Sequence, residues 1–478
     1  MSTAKNNNLL ALTVAAALTC GAIQAQSTRP TAFTNARIHT VSGKTIERGT
    51  LVVRSGKIEA VGKDAVVPAG AKVIDATGKT IMPGLVSAWS RAGLRAPTSR
   101  GNTPTRGGRR GRPSRFRPRS SGRTSNSAAT KVIDGIYIRQ PIFGKLLEVG
   151  VTSLALNPQG GGFPGLGAVL NPAGKTREAL TLNDEAFVQV GMQRNSGAKK
   201  LLKDTFAKAK KAVEEREKPP EPPKKPEAKK PEAKKPEAKP AAKPGEKPAK
   251  PAGKDAPKQD PKKPAPKKEA PKKPAAKPAA KPKPKKPKDP NVEVLADLLQ
   301  GKRRAIVEIN SAADLLHWRT AVSDDMKFPR MVAVTRHDTT SGTLDKVVDH
   351  LKKWECSVLL PPLLSTQPRT SHLIHPAKKL HDAGIEVGFA VGESPGQVRA
   401  IFFSLMELVR SGLPADVALK AITQVPAKAL GIDKRTGTIE VGKHADLLVF
   451  DGDPLSPTGT LEQVWLRGSR VEKDGAAN

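Results

Sequence analysis

Cysteine is almost absent, with two residues in a chain of 478, Cys20 and Cys356. Cys20 falls inside an apolar N-terminal run that reads as a cleavable export signal, so the mature chain keeps one thiol and no internal disulfide. Aromatic residues amount to 3%, with a single tyrosine. The basic stretches therefore lack the rings on which nucleic-acid bases stack, and no sequence-specific nucleic-acid binding is expected. Histidine is equally thin, at eight residues, which confines any imidazole-based metal site to a few positions. Acid is in deficit: 82 Lys and Arg face 45 Asp and Glu, a formal charge of +37.

That charge is not spread over the chain. Between Arg91 and Arg123 there are eleven arginines and no acid, and between Lys218 and Pro290 there are 25 lysines against nine acids in a degenerate "KKPEAKKPEAKP" repeat. Basicity thus belongs to two segments. The Lys/Pro/Ala tract has few side chains able to build a core, and its prolines remove backbone donors, so a solvated, extended insertion is expected. At the N-terminus, Lys5 precedes the apolar run Leu9 to Ile23 and "IQAQ" supplies a small residue before a cut. The pattern predicts a signal peptide over 1–25 and a periplasmic or cell-envelope address. Cys20 sits in a poor lipoprotein box because Thr19 precedes it, and lipid anchoring is not favoured.

The remaining sequence alternates in two registers. Strand-like stretches crowd both ends, for example "TLVVRSGKIEAVG" early and "HADLLVFDG" late, with glycine-centred turns between them. The middle alternates strand and helix: "RAIVEI" then "SAADLLHWRTAV", "RMVAVTR" then "TLDKVVDHLKKW", "EVGFAVG" then "PGQVRAIFFSLMELVRSG". Such alternation predicts an α/β fold with a parallel sheet covered by helices, closed as a barrel.

The stretch Ser411 to Leu455, "SGLPADVALKAITQVPAKALGIDKRTGTIEVGKHADLLVFDGDPL", and the opening "NARIHTVSGKTIERGTLVVRSGKIEAVG…TIMPGLVSA" together resemble the amidohydrolase superfamily, close to its imidazolonepropionase-like branch. The resemblance implies a (β/α)8 TIM-type barrel beside a composite β-sandwich built by the N- and C-terminal segments. The corresponding organisation is a first sandwich part over 30–85, barrel over 86–217 with the arginine-rich loop 91–123, the insertion 218–290, barrel again over 291–430 and the second sandwich part over 431–475. It also implies hydrolysis of carbon–nitrogen bonds by a metal-activated water, with zinc or another divalent metal at the C-terminal mouth of the barrel.

The family's ligand positions fall here on unexpected residues. A His-x-His should follow "PGLVSA", where Trp89-Ser90-Arg91 stand; indole cannot ligate and a permanent guanidinium repels a dication. A second His-x-His falls on Glu308 and Asn310, a further His near Thr335 or Arg336, and the final Asp on Glu393, which keeps a carboxylate. These departures predict no cofactor and a catalytically impaired protein that binds a ligand or pairs with an active relative. The alternative is an active hydrolase with a non-standard metal set of Glu308, His337 and Glu393, in which Glu393 would be catalytic. A third reading is a basic protein that binds an anionic envelope polymer through its two charged segments.

Other candidates read as structural. His372, His375 and His381 lie close together, but Pro376 makes His375 a helix-start residue. "AGKT" at Ala173 to Thr176 lacks the earlier glycine of a phosphate loop, since Val169 occupies its place. The glycines from Gly160 to Gly167 read as a turn near the barrel mouth, His337-Asp338 has no nucleophile beside it, and Cys356 reads as an inert core thiol.

Overall fold

The computed structural model describes residues 29–94, 124–217, 288–322, 326–335, 339–367 and 369–472. The expected signal segment 1–25, most of the arginine-rich loop, nearly all of the Lys/Pro/Ala insertion, and Arg336 and His337 lie outside the described residues.

Strands are numbered along the chain. The first group is β1 (Thr31–Ile38), β2 (Ile46–Arg54), β3 (Lys57–Gly62), β4 (Lys72–Asp75), β5 (Lys79–Pro83) and β6 (Leu85–Ser87). Next come β7 (Thr124–Asn126), β8 (Val151–Leu156), β9 (Gly161–Leu170) and β10 (Thr181–Gly191). After the insertion follow β11 (Ala305–Glu308), β12 (Arg330–Ala333), β13 (Ser357–Leu360), β14 (Ser365–Thr366), β15 (Leu373–Ile374) and β16 (Val387–Phe389). The chain finishes with β17 (Leu447–Asp451), β18 (Thr460–Leu466) and β19 (Ser469–Arg470).

Both ends of the chain enter one eight-stranded sheet in the order β19-β18-β17-β5-β1-β2-β3, with β4 pairing β1 alongside β5. Its alternating side chains build a core in which Phe33 meets Trp465 edge to face with ring centres 5.1 Å apart. Where two facing sheets were expected, strand pairing gives one. Asp446 ties this sheet to the next. Its carboxylate, fully buried, accepts the Arg467 N–H at 2.9 Å and the Thr436 hydroxyl at 3.2 Å, and its carbonyl accepts the Gly84 N–H at 2.9 Å. Burial holds the Asp446 carboxyl above its ordinary pKa, because desolvation disfavours the charged form. Gly84 is required here: a Cβ would lie 2.2 Å from Thr152 Oγ1.

The second sheet runs β16-β13-β12-β11-β10-β9-β8-β6, with β7 beside β9. Seven strands of that path are mutually parallel, and β9 lies antiparallel between β8 and β10. This corrects two expectations. The described sheet is a nine-stranded mixed sheet where eight parallel strands were expected, and the glycines expected in a turn, Gly160 apart, sit within β9. Gly167 shows why: any Cβ would fall 2.1 Å from the Phe187 ring, so glycine lets β9 lie tightly on β10.

The sheet curls on itself. Val86, Ala155, Val169, Phe187, Ile306, Ala333 and Leu359, drawn from β6 round to β13, share one inner apolar cluster with Ala427 and Leu430 of the helix Gln424–Leu430. The first and last strands of the path, β6 and β16, are not paired with each other. The β6 edge instead donates the Val86 N–H to the Ile422 carbonyl at 3.0 Å. A second, larger apolar layer lies between the sheet and its helices, where Phe206, Trp318 and Phe328 meet.

Helix boundaries follow capping chemistry. The helix Pro395–Arg410 begins with a Ser394/Gln397 capping box and proline in its first turn. The helix Ser196–Glu217 and the helix Pro290–Leu299 flank the insertion, and residues on its two sides pack as one unit. Arg216 staples those flanks, since its guanidinium donates to Asp297 and Gln300 at 2.9 Å each and also to Glu293. The staple does not need the intervening residues. A chain with 218–287 replaced by a short Gly/Ser linker should therefore unfold in one cooperative transition close to the wild-type temperature. Arg216→Ala should cost about 1 kcal/mol, because half-buried carboxylate and amide acceptors lose their shared donor. Calorimetry or circular-dichroism melts of the three proteins check both expectations.

Candidate functional site

At the C-terminal ends of the parallel strands lies a cleft of about 520 Å³, lined among others by Trp89, Arg91, Glu308, Thr335, Gly392 and Glu393. Alternation along the strands builds it. Ala155, Phe187, Ile306 and Ala333 point into the apolar interior, and two residues further along each strand the same face carries Asn157, Gln189, Glu308 and Thr335. A polar cap thus tops the apolar interior.

Two hydrogen-bonded groups form that cap. In the first, Ser90 and Asn157 bond reciprocally: the Asn157 carboxamide oxygen accepts the Ser90 N–H at 3.0 Å and the Asn157 N–H donates to the Ser90 carbonyl at 2.9 Å. Asn157 Nδ2 lies 3.4 Å from Gln189 Oε1, while Gln189 Nε2 is buried without a partner among the described residues. In the second, the Thr335 hydroxyl donates to Glu308 Oε1 at 2.7 Å and the Thr335 N–H donates to Asn310 Oδ1 at 2.8 Å. Asn310 Nδ2 stands 3.4 Å from the same Glu308 oxygen.

Glu393 belongs to the join between the two ends of the sheet. Its Oε1 accepts the backbone N–H of Arg91 at 3.0 Å, across the gap between β16 and β6. Gly392, at φ +104°, makes the turn that presents it, and Gln397 Oε1 accepts the Glu393 N–H at 3.0 Å. The Arg91 guanidinium lies 5.7 Å from the Trp89 ring centre, within cation–π range. Its Nε is buried and has no hydrogen-bond partner among the described residues.

The structure thus brings five sequence candidates, Trp89, Arg91, Glu308, Thr335 and Glu393, into one cleft, with Asn310 bonded beside them. Arg336 and His337 lie outside the described residues. Of the other candidates, His375 caps the helix Pro376–Asp382: Nδ1 accepts the Lys378 N–H and Nε2 donates to the Leu408 carbonyl, both at 3.0 Å. Thr176 caps a short helix through the Ala179 N–H. Burial pushes the Cys356 thiol up to about 12, which keeps it protonated and unreactive. Ser90, Asn157 and Gln189 were missed by sequence reasoning; the signal was present as single amides on the inward face of otherwise apolar strands.

The implied metal was tested against these side chains. Among the described residues the cleft offers two carboxylates, each already accepting a hydrogen bond, together with a guanidinium and no imidazole. No group of three or more His, Cys, Asp or Glu side chains suited to a metal ion occurs among the described residues. The described lining does not fit a family-type ion.

By backbone superposition the fold is that of a TIM-type barrel. An amidohydrolase from Thermotoga maritima MSB8 superposes with a TM-score of 0.64 at 20% identity, covering 92% of this chain and 99% of that one. In sequence, residues 334–471 match the amidohydrolase family. Imidazolonepropionases are similar over shorter segments: that of Treponema denticola is 29% identical over 116 residues (22% of this chain, 28% of that protein), and that of Thermoplasma acidophilum is 32% identical over 127 residues (26% and 30%). The amidohydrolase tasK of Hapsidospora irregularis is 32% identical over 92 residues (19% and 9%). The chain therefore spans less than a third of the length of these curated relatives. Over residues 334–471 the chain is thus similar to the amidohydrolase family, with imidazolonepropionases among the relatives it resembles.

The polar cap predicts opposite outcomes for two neighbouring amides. Asn157→Ala strands the buried Ser90 N–H and should cost about 1–3 kcal/mol. Gln189→Leu removes an unpartnered buried donor at the expense of one long contact, and should stay within about 1 kcal/mol of wild type. Denaturant titrations of both variants measure the difference.

Proposed function

We propose that this exported member of the superfamily has lost metal-dependent hydrolysis and uses its barrel mouth to bind a small carboxylate-bearing molecule. The observation that carries the reading is Arg91. A guanidinium occupies the first ligand position of the family, lines the same cleft as Glu308 and Glu393, and forms no ion pair among the described residues. A planar, always-charged donor fork is suited to a carboxylate ligand, and the low-dielectric wall of Trp89 strengthens that attraction. Glu393, at the position of the family's last ligand, accepts a backbone N–H and closes the mouth. The two basic segments, 91–123 and 218–290, would add salt-sensitive attraction to anionic envelope polymers or to an acidic partner.

The test is a binding titration of the purified full chain with short dicarboxylates and N-acyl amino acids, followed by calorimetry and by Trp89 fluorescence. Arg91→Gln should weaken binding at least tenfold, equivalent to about 1.4 kcal/mol or more, while leaving the melting temperature in place. Stoichiometric, tightly held zinc, together with turnover of simple amides or dipeptides that disappears in Glu393→Gln, would overturn the reading in favour of a hydrolase built on Glu308, His337 and Glu393. Glutamine keeps an oxygen for the Arg91 N–H, so loss of turnover there would report chemistry and not collapse of the mouth.

A further inference from the structure

The helix Pro395–Arg410 turns Val398, Ile401, Leu405 and Leu408 into the core, as an amphipathic helix must. Its outer face carries an uncommon stripe. Phe403 is 68% exposed, and Arg399 and Glu407 stand four residues before and after it, one helical turn away on the same face. Neither charge forms an ion pair among the described residues, and the long apolar ring between them has nothing covering it there. Two adjoining clefts lined by Phe403 continue the patch onto Met406, Leu455 and Pro457.

We propose that this face is a two-fold interface with a second copy of the chain, the two helices packing antiparallel about Phe403. The charge order decides the occupant. When an antiparallel helix pair is centred on Phe403, a two-fold axis sets Arg399 of each copy against Glu407 of the other, because the two residues are equidistant from the centre. The surface is thus self-complementary in charge as well as apolar at its middle, which is what an isologous contact demands. Burying Phe403 removes a large apolar ring from water, and the two symmetric ion pairs set the register. A partner of different sequence would have no reason to find charges spaced evenly about one ring.

Sedimentation of the full chain over a range of concentrations tests the interface. Wild type should show a reversible dimer that Phe403→Ser abolishes. Arg399→Glu or Glu407→Arg alone sets two like-charge pairs face to face and should weaken association by about tenfold or more. The double variant Arg399→Glu/Glu407→Arg should restore it to within a few-fold of wild type. All three substitutions are on exposed positions, so circular-dichroism melts of the four variants should coincide with wild type and exclude misfolding as the cause. A wild-type chain that stays monomeric throughout, a dimer unchanged by Phe403→Ser, or a double variant as weak as the single ones would each overturn the proposal. None of these outcomes depends on whether the barrel mouth binds a carboxylate.

Discussion

The mouth of this barrel depends on how two unpaired sheet edges are held together. A curled sheet whose terminal strands do not pair leaves backbone donors facing the gap, and each such donor is costly if buried unmet. Here β6 spends its donors on the Ile422 carbonyl and, just beyond the strand, on the Asn157 and Glu393 side chains. A carboxylate oxygen that closes a backbone gap is committed to that bond, while the second oxygen is not. Glu393, at the position where the family resemblance implies a metal-binding carboxylate, has its Oε1 engaged in a structural bond. The same bond fixes the backbone of Arg91, and so the direction of the guanidinium depends on it.

Electrostatics follow from that closure. A mouth shaped for a dication would gather neutral imidazoles and carboxylates, and a guanidinium among them would raise the free energy of the bound ion by direct repulsion. On the proposed reading, Arg91 over the Trp89 ring is the group that would attract a negatively charged ligand. Glu308 is held by Thr335 and flanked by Asn310, so its carboxylate can persist near the cation without collapsing onto it. The apolar floor below and the amide pair Asn157–Gln189 between them exclude a second layer of charge.

Much of this was legible in the sequence, and the gaps have physical causes. The alternation of "RAIVEI", "RMVAVTR" and "EVGFAVG" with amphipathic segments located β11, β12 and β16, because period-2 apolar runs have few other stable uses. The positions of Trp89, Arg91, Glu308 and Glu393 followed from their neighbours, and the cleft gathers them. The antiparallel β9 did not show, since a glycine-rich strand lacks the β-branched signature and reads as a turn; only the proximity of Phe187 explains Gly167. Asn157 and Gln189 were invisible for a different reason. A lone amide in an apolar strand has no local meaning until the strands on either side bring Ser90 and a second amide within reach. The single sheet formed by the chain ends likewise rests on pairings such as β17 with β5, more than 350 residues apart, which no local pattern encodes.

One element links the mouth to the outer surface. The helix Pro395–Arg410 starts at the Ser394 cap directly after Glu393, lines the cleft with Gln397, Ile401 and Ser404, and presents Phe403 outward on the adjacent face. Because Gln397 both completes the capping box and accepts the Glu393 N–H, a shift of the helix start moves the carboxylate that holds Arg91. A contact made on the outer stripe therefore acts on the same rigid body that sets the geometry of the cleft. If occupancy of one face favours one position of this helix, the other face must feel it by the same free energy, since coupling between binding sites is reciprocal. On the proposed readings, such coupling would let the helix Pro395–Arg410 connect a ligand at the mouth to a second copy at its outer face.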